Sequence, residues 1–362
     1  MLIRRITKTL KLDKWWIDKI GSGVFTFLLF EYLAHGEVIL SIFDLLLFVL
    51  LAFLAVFGHF INDYSDYESD KEVGKTNVFN MLPVRYGGRL IVVLGGLSIS
   101  LSIVLSPWII GLVVLQMVCN MSYSFRPLRI KERGILALLL TGLYERMLPL
   151  IIIVVHIVPI NHLSEMQLIF SVVYLLWSYL WECRNFLNGQ LEDYENDKKT
   201  GTNSIVIDLG KNKVWCLWQY IFRVELVLYI IWLGLFLLFN TFNFLFPVFV
   251  LVIQVLHASI NKKAEFFSSI QVLLAYMYRH SIIAGFILFL LILNKINVFF
   301  ALILLYLFRS VYAYSAYSSF RSALTKVYYF FRFYVSKVVN YSIYYFRKYV
   351  LRWSEEKSRG EV

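Results

Sequence analysis

Ten apolar stretches follow one another along this chain, near residues 20–35, 38–61, 88–105, 108–122, 135–158, 166–183, 214–239, 242–260, 277–293 and 296–314. Most approach the ~20 residues that carry a helix across a bilayer. The first is followed at once by a second, so it does not read as a cleaved leader. Composition agrees: charged residues are 16% and apolar residues 59% of the chain, against about 25% and ~45–50% in soluble domains. The expected fold class is an all-α integral membrane protein, a bundle of nine core transmembrane helices plus a tenth.

Orientation follows from lysine and arginine, which stay on the cytoplasmic side of span ends. Residues 1–19 contain six of them, and the loops near 62–89, 123–134, 184–213 and 261–279 hold most of the others. The alternate connections contain one, Lys295. The N-terminus and those basic loops are therefore expected in the cytoplasm. From Arg321 to Arg359 there are nine basic residues against Glu355 and Glu356, and a tenth crossing returns this tail to the cytoplasm as well. Its apolar positions, among them Leu324, Val327, Phe331, Val335, Val338 and Tyr345, share one side of a helical wheel, which reads as an amphipathic helix on anionic lipid. The expected organisation is a basic segment 1–19, a membrane domain 20–295, an extra helix 296–315 and a basic aromatic-rich tail 316–362. Membrane lipids are expected partners and nucleic acid is not. Cys119, Cys183 and Cys216 fall inside apolar runs without paired spacing and read as small core residues; His59, His257 and His280 read as packing residues near span ends.

Against this apolar background one acidic phrase occurs twice, as DYESDKEVGKTN at 66–77 and DYENDKKTGTN at 193–203, both on the basic side. In the first copy Asn62, Asp66 and Asp70 are spaced by four, with Asp63 leaning the same way; in the second Asp193 and Asp197 repeat the step. On helices these oxygens form ladders on one face, and like charges there cost roughly 0.2–0.5 kcal/mol per pair, which a bound cation offsets. Oxygen-only ligands suit Mg2+, which is bound by one or two carboxylates together with substrate phosphate oxygens. Lys71 and Lys75 follow the first ladder, Lys198 and Lys199 the second. Such a set would neutralise a departing pyrophosphate. Three other readings compete. Either copy alone could be a solvated helix cap. A calcium loop wants glycine where Lys71 and Lys198 stand. A cation pathway would put its acids within the spans.

These residues resemble the UbiA superfamily of intramembrane prenyltransferases. NDYSDYESD, Asn62 to Asp70, is similar to its first motif N-D-x-x-D-x-x-x-D; DYENDKKTG, Asp193 to Gly201, to its second; and YSFRPLRIKERG, Tyr123 to Gly134, to its Y-S-x-x-P-x-R-x-K segment. The likeness spans roughly residues 15–295. It implies helices around a lipid-open cavity, with Mg2+ bridging Asn62, Asp66 and Asp70 to Asp193 and Asp197 through an isoprenyl diphosphate. It also implies Lys75, Lys131, Tyr123 and Arg129 on that diphosphate. The chain departs from the pattern after the first motif, where Asn77 and Pro83 stand in KTNVFNMLPVRYGG. Charged residues within the spans pair by proximity in sequence as Glu145–Arg146, Glu182–Arg184 and Arg223–Glu225, which reads as structural; Arg146 is the acceptor-site candidate. The expected activity is Mg2+-dependent transfer of an isoprenyl chain to a lipophilic or aromatic acceptor. The alternatives are a terpene cyclase with the same ionisation step, or a non-catalytic transporter or lipid-binding protein.

Overall fold

The computed structural model describes residues 19–74, 77–80, 82–158, 164–250, 282–283 and 285–307. Among these, every regular element is helical. Helix α1 (Gly21–His35) is buried from Gly21 to Tyr32. A helix apolar on all sides belongs at the centre of a bundle, and the others are arranged around it. Helix α2 (Ile42–Ser65) begins at a capping box, in which the Ser41 hydroxyl accepts the Asp44 N–H and the Asp44 carboxylate accepts the Ser41 N–H at 2.6 Å. A short α3 (Tyr67–Glu72) follows, then α4 (Gly87–Leu105) and α5 (Pro107–Ser124), whose proline stands at the start, where its missing N–H costs nothing.

The next span, Ile135–Ile157, is one rod in three parts: α6 (Ile135–Thr141), a π-helical turn Gly142–Met147 and α7 (Leu148–Ile157). Helix α8 (Glu165–Thr200) is 36 residues long, and α9 (Ile205–Leu209) turns the chain into α10 (Lys211–Phe239). Beyond it, α11 (Val298–Leu307) lies within the run expected as the tenth span. Among the described residues six helices are long and apolar enough to cross a membrane. Their outward faces carry exposed Val92, Ile103, Trp108 and Ile230, as lipid contact requires. The protein is an all-helical integral membrane protein. The remainder of the runs 242–260, 277–293 and 296–314, together with residues 1–18, Lys75, His257, His280 and the tail, lie outside the described residues.

Aromatic packing holds one half of the bundle. Trp177 on α8 stacks on Trp232 of α10, centroids 5.4 Å apart and planes 10° from parallel, and Phe25 of α1 meets Trp232 edge-on at 6.1 Å. Elsewhere α2 packs on α4 and α5, and α1 on α7.

Three sequence expectations are corrected. The segment after residue 183 is not a loop, because α8 runs on to Thr200: no breaker precedes Gly201, and Leu187 is still buried. Cys216 is exposed, since the buried stripe of α10 passes through Val214, Trp218, Ile221 and Glu225 and leaves 216 off it. The charged residues within the spans take counter-charges beyond their sequence neighbours. Lys19 pairs with Glu145 at 2.5 Å, Arg146 with Glu182 at 2.8 Å and Arg184 with Glu225 at 2.6 Å, while Arg223 is exposed. Residues one or two apart on a helix point to different sides, so the counter-charge comes from another helix.

The connections sort to two ends. At one, Arg129 and Lys131 after α5 reach Asp66 after α2, and Asn203 after α8 donates to the Glu132 carbonyl at 3.4 Å. At the other, His156 at the end of α7 meets Asp44 at the start of α2 at 2.8 Å, and the Val38 N–H reaches the Lys295 carbonyl, also 2.8 Å.

Candidate active site

Both acidic phrases are helix ends. Helix α2 stops at Ser65, and Asp66, with φ −106° and ψ 4°, breaks it from α3. The Ser65 hydroxyl donates to the Asn62 carbonyl at 2.9 Å, a back-bond that bends helices. The four-residue rise nevertheless survives the break, because the Asp66 N–H bonds Asn62 O at 3.0 Å and the Asp70 N–H bonds Asp66 O at 2.8 Å. The expected single helical ladder is thus a ladder with one joint. In the second copy it is unbroken, on the last turns of α8. Each phrase contains a glycine just past its helix, Gly74 at φ 68° and Gly201 at φ 66°, the left-handed backbone that ends helices and that side chains resist.

The two copies line one cavity of about 930 Å³. Asn62, Asp63, Asp66 and Asp70 form one wall, and Asp193 and Asp197 form another with Gln190, Asn196 and Thr200, a polar stripe on one face of α8. Tyr123, Arg129 and Lys131 close the space between. Lys131 donates to Asp66 and to the Ser65 hydroxyl at 3.0 Å, and Arg129 reaches the same Asp66 oxygen at 3.3 Å while pairing with Glu132. Burial pulls the Lys131 ammonium below its ordinary value, with Asp66 opposing.

Some expected residues serve differently. Asp63 is 3% exposed, and its Oδ2 accepts the Val78 N–H at 2.8 Å, so one of its oxygens is spent on holding the following loop. Lys198 is exposed and not among the cavity's lining residues. In the last turn of α8 it and Lys199 complement the helix dipole. Arg146, 1% exposed, lies one layer deeper, with its guanidinium on Glu182 and Ser22 and over the Trp181 ring at 4.9 Å. Lys75 lies outside the described residues.

Two residues escaped the sequence reading. Asn77, noted only as a departure from pattern, donates to Asp63 O and to Asp70 Oδ2, both at 2.8 Å, and accepts the Phe79 N–H at 3.0 Å. It fastens the loop to the ladder; the signal was available, since both phrases end in Thr-Asn. Tyr144, on the π turn, brings its ring 5.4 Å from Tyr123. Nothing in a spacing rule marks it, because a π turn shifts the register.

Among the described residues no three His, Cys, Asp or Glu are gathered closely enough to grip a metal ion by themselves. Mg2+ does not need such a cage: it keeps waters and shares its shell with substrate phosphates, so separated carboxylates around a roomy polar cavity fit it.

A family model described as the UbiA prenyltransferase family matches residues 23–280. Three solved structures share the fold. One, described as concerning digeranylgeranylglyceryl phosphate synthase in membranes, is 17% identical, with 79% of this chain and 97% of that one covered and a TM-score of 0.53. A UbiA homolog from Archaeoglobus fulgidus bound to GPP and Mg2+ is 14% identical, over 79% and 99%, at 0.51. An apo UbiA homolog from Aeropyrum pernix K1 is 15% identical, over 74% and 98%, at 0.51. No curated protein matches the chain.

Proposed function

The chain belongs to the UbiA prenyltransferase family, and from that premise we propose that it transfers an isoprenyl chain from its diphosphate to a lipophilic or aromatic acceptor, with Mg2+, inside the membrane. The observation that carries this reading is that both acidic phrases, 127 residues apart in the chain, line one cavity. A structural cap would need only one copy and no partner across a void.

Asn62, Asp66, Asp70, Asp193 and Asp197 would hold Mg2+, which when bound supplies positive charge to the diphosphate oxygens. Lys131 and Arg129, already turned into the cavity on Asp66, stand where a departing diphosphate gathers negative charge, and their donors need little reorganisation to meet it. Asn77 sets the orientation of Asp70. The Tyr123 ring, which lines the cavity and is backed by Tyr144, offers a π face to the positive carbon left by ionisation. The apolar bundle below accepts the isoprenyl tail. By the positive-inside rule we assign the site end, the N-terminus and the basic tail to the cytoplasm, and we retain 20–295 as the catalytic domain.

The test is inorganic pyrophosphate release from geranyl diphosphate by the purified chain. Release that requires Mg2+ and falls to background in Asp66→Asn and Asp193→Asn supports the reading. Product mass separates transfer from the cyclase alternative, since cyclisation adds no acceptor mass. Absence of release with every isoprenyl diphosphate tried would leave the transporter or lipid-binding alternative.

A further inference from the structure

Below the acidic cavity is a second, smaller void between α1, α2, α5 and the π turn, with a volume of about 30 Å³. It adjoins the first along two helices. On α2, Gly58 lines the small void and His59 the large one; on α5, Asn120 and Tyr123 are divided in the same way. Tyr144, Glu145 and Arg146 are consecutive, yet all three line the small void. They lie in the π turn, a feature frequent at functional sites.

Three properties of this void point to one ligand chemistry. Gln116 is 4% exposed and lines it, and its Oε1 accepts no hydrogen bond, so the void holds a buried acceptor in want of a donor. The charges at its wall are balanced: Lys19 is paired with Glu145, and Arg146 with Glu182. An anionic head would find no uncommitted cation there and would lose its hydration for nothing. The volume is room for a water or a hydroxyl group.

We infer that this void anchors the hydroxyl of an uncharged, hydroxyl-bearing acceptor, with Gln116 Oε1 accepting its hydrogen bond and the rest of the molecule extending toward the acidic cavity. The inference rests on the transferase reading and names its acceptor class. Gln116 is a positioning residue: it fixes where the acceptor lies and takes no part in ionising the donor. Arg146, the acceptor residue expected from sequence, forms the wall of this void with its charge already spent on Glu182.

The test uses three probes with one tail, decan-1-ol, decanoate and decyl phosphate, titrated calorimetrically into the full chain in neutral detergent without Mg2+. Decan-1-ol is expected to bind more tightly than either anion, and Gln116→Leu to weaken it about two- to tenfold while leaving the anions unmoved. Gln116→Met, which keeps the length and removes the oxygen, must give the same loss, and serves if the leucine variant does not fold. In turnover with a diol acceptor, whose second hydroxyl reaches the donor carbon and loses its proton as the new C–O bond forms and diphosphate leaves, both variants should raise the acceptor KM. Equal binding of the anions, or alcohol binding indifferent to Gln116, overturns the inference. If alcohol binds through Gln116 but no pyrophosphate is ever released, it is the transferase reading that has failed. A result in which only water occupies the void, so that decan-1-ol does not bind, also overturns the inference.

Discussion

Asp66 concentrates the site's electrostatics in one carboxylate, because Lys131, Arg129 and the jointed ladder all meet on it. Asn77 does the mechanical counterpart with a neutral side chain. Asn77→Ala removes the partner of a buried carbonyl and of one Asp70 oxygen, which should cost about 1–3 kcal/mol and appear as a lower unfolding midpoint. It should also slow pyrophosphate release, since Asp70 loses its hold. Within the spans, the sequence made the charges visible but not their partners. Glu225 is fully buried on Arg184, 41 residues away in the chain. Glu225→Gln takes away the carboxylate charge that this buried guanidinium grips through two nitrogens, and should destabilise the fold by about 3–5 kcal/mol; Arg184→Met with Glu225→Leu should recover much of that loss in the same thermal assay. Adjacency in sequence misleads on a helix because successive side chains diverge by about 100°.

At the scale of elements, the two acidic phrases reach the cavity by different routes. Helix α2 ends and is jointed at Asp66, whereas α8 carries its acids on a continuous rod of 36 residues, about 54 Å long against a hydrocarbon core of ~30 Å. Its last turns therefore stand beyond the apolar layer, where carboxylates can be hydrated. The apolar run ending near 183 fixed the span but not this extension, because a hydropathy reading ends where polarity begins and a helix ends at a breaker, here Gly201. The polar stripe Gln190, Asp193, Asn196, Asp197 and Thr200, at three- and four-residue steps, was the available sign. One alanine inserted after Leu187 should rotate that stripe by about 100° out of the cavity. Pyrophosphate release should fall at least about a hundredfold, the order set by mispositioning a catalytic constellation, with circular dichroism still that of a helical protein.

For the whole molecule, the ends of α2, α5 and α8 meet, Asp66 with Lys131 and Asn203 with Glu132, and these are the segments in which the basic residues gather. The duplicated phrase was legible because few charges occur, so a repeat of them stands clear. What the sequence could not express was depth. The void beneath the cavity depends on the π turn and on Gln116 meeting residues from three other segments, none of which follows from spacing. The claim underlying all of this is that the two acidic ladders act on one diphosphate. Its most direct test is Mg2+-dependent binding of a non-hydrolysable geranyl thiolodiphosphate to the wild type, to Asp66→Asn, to Asp193→Asn and to the double variant. The account predicts that either single change removes binding as completely as both together, because half a clasp holds nothing; additive losses, or full binding with either ladder disabled, would contradict it.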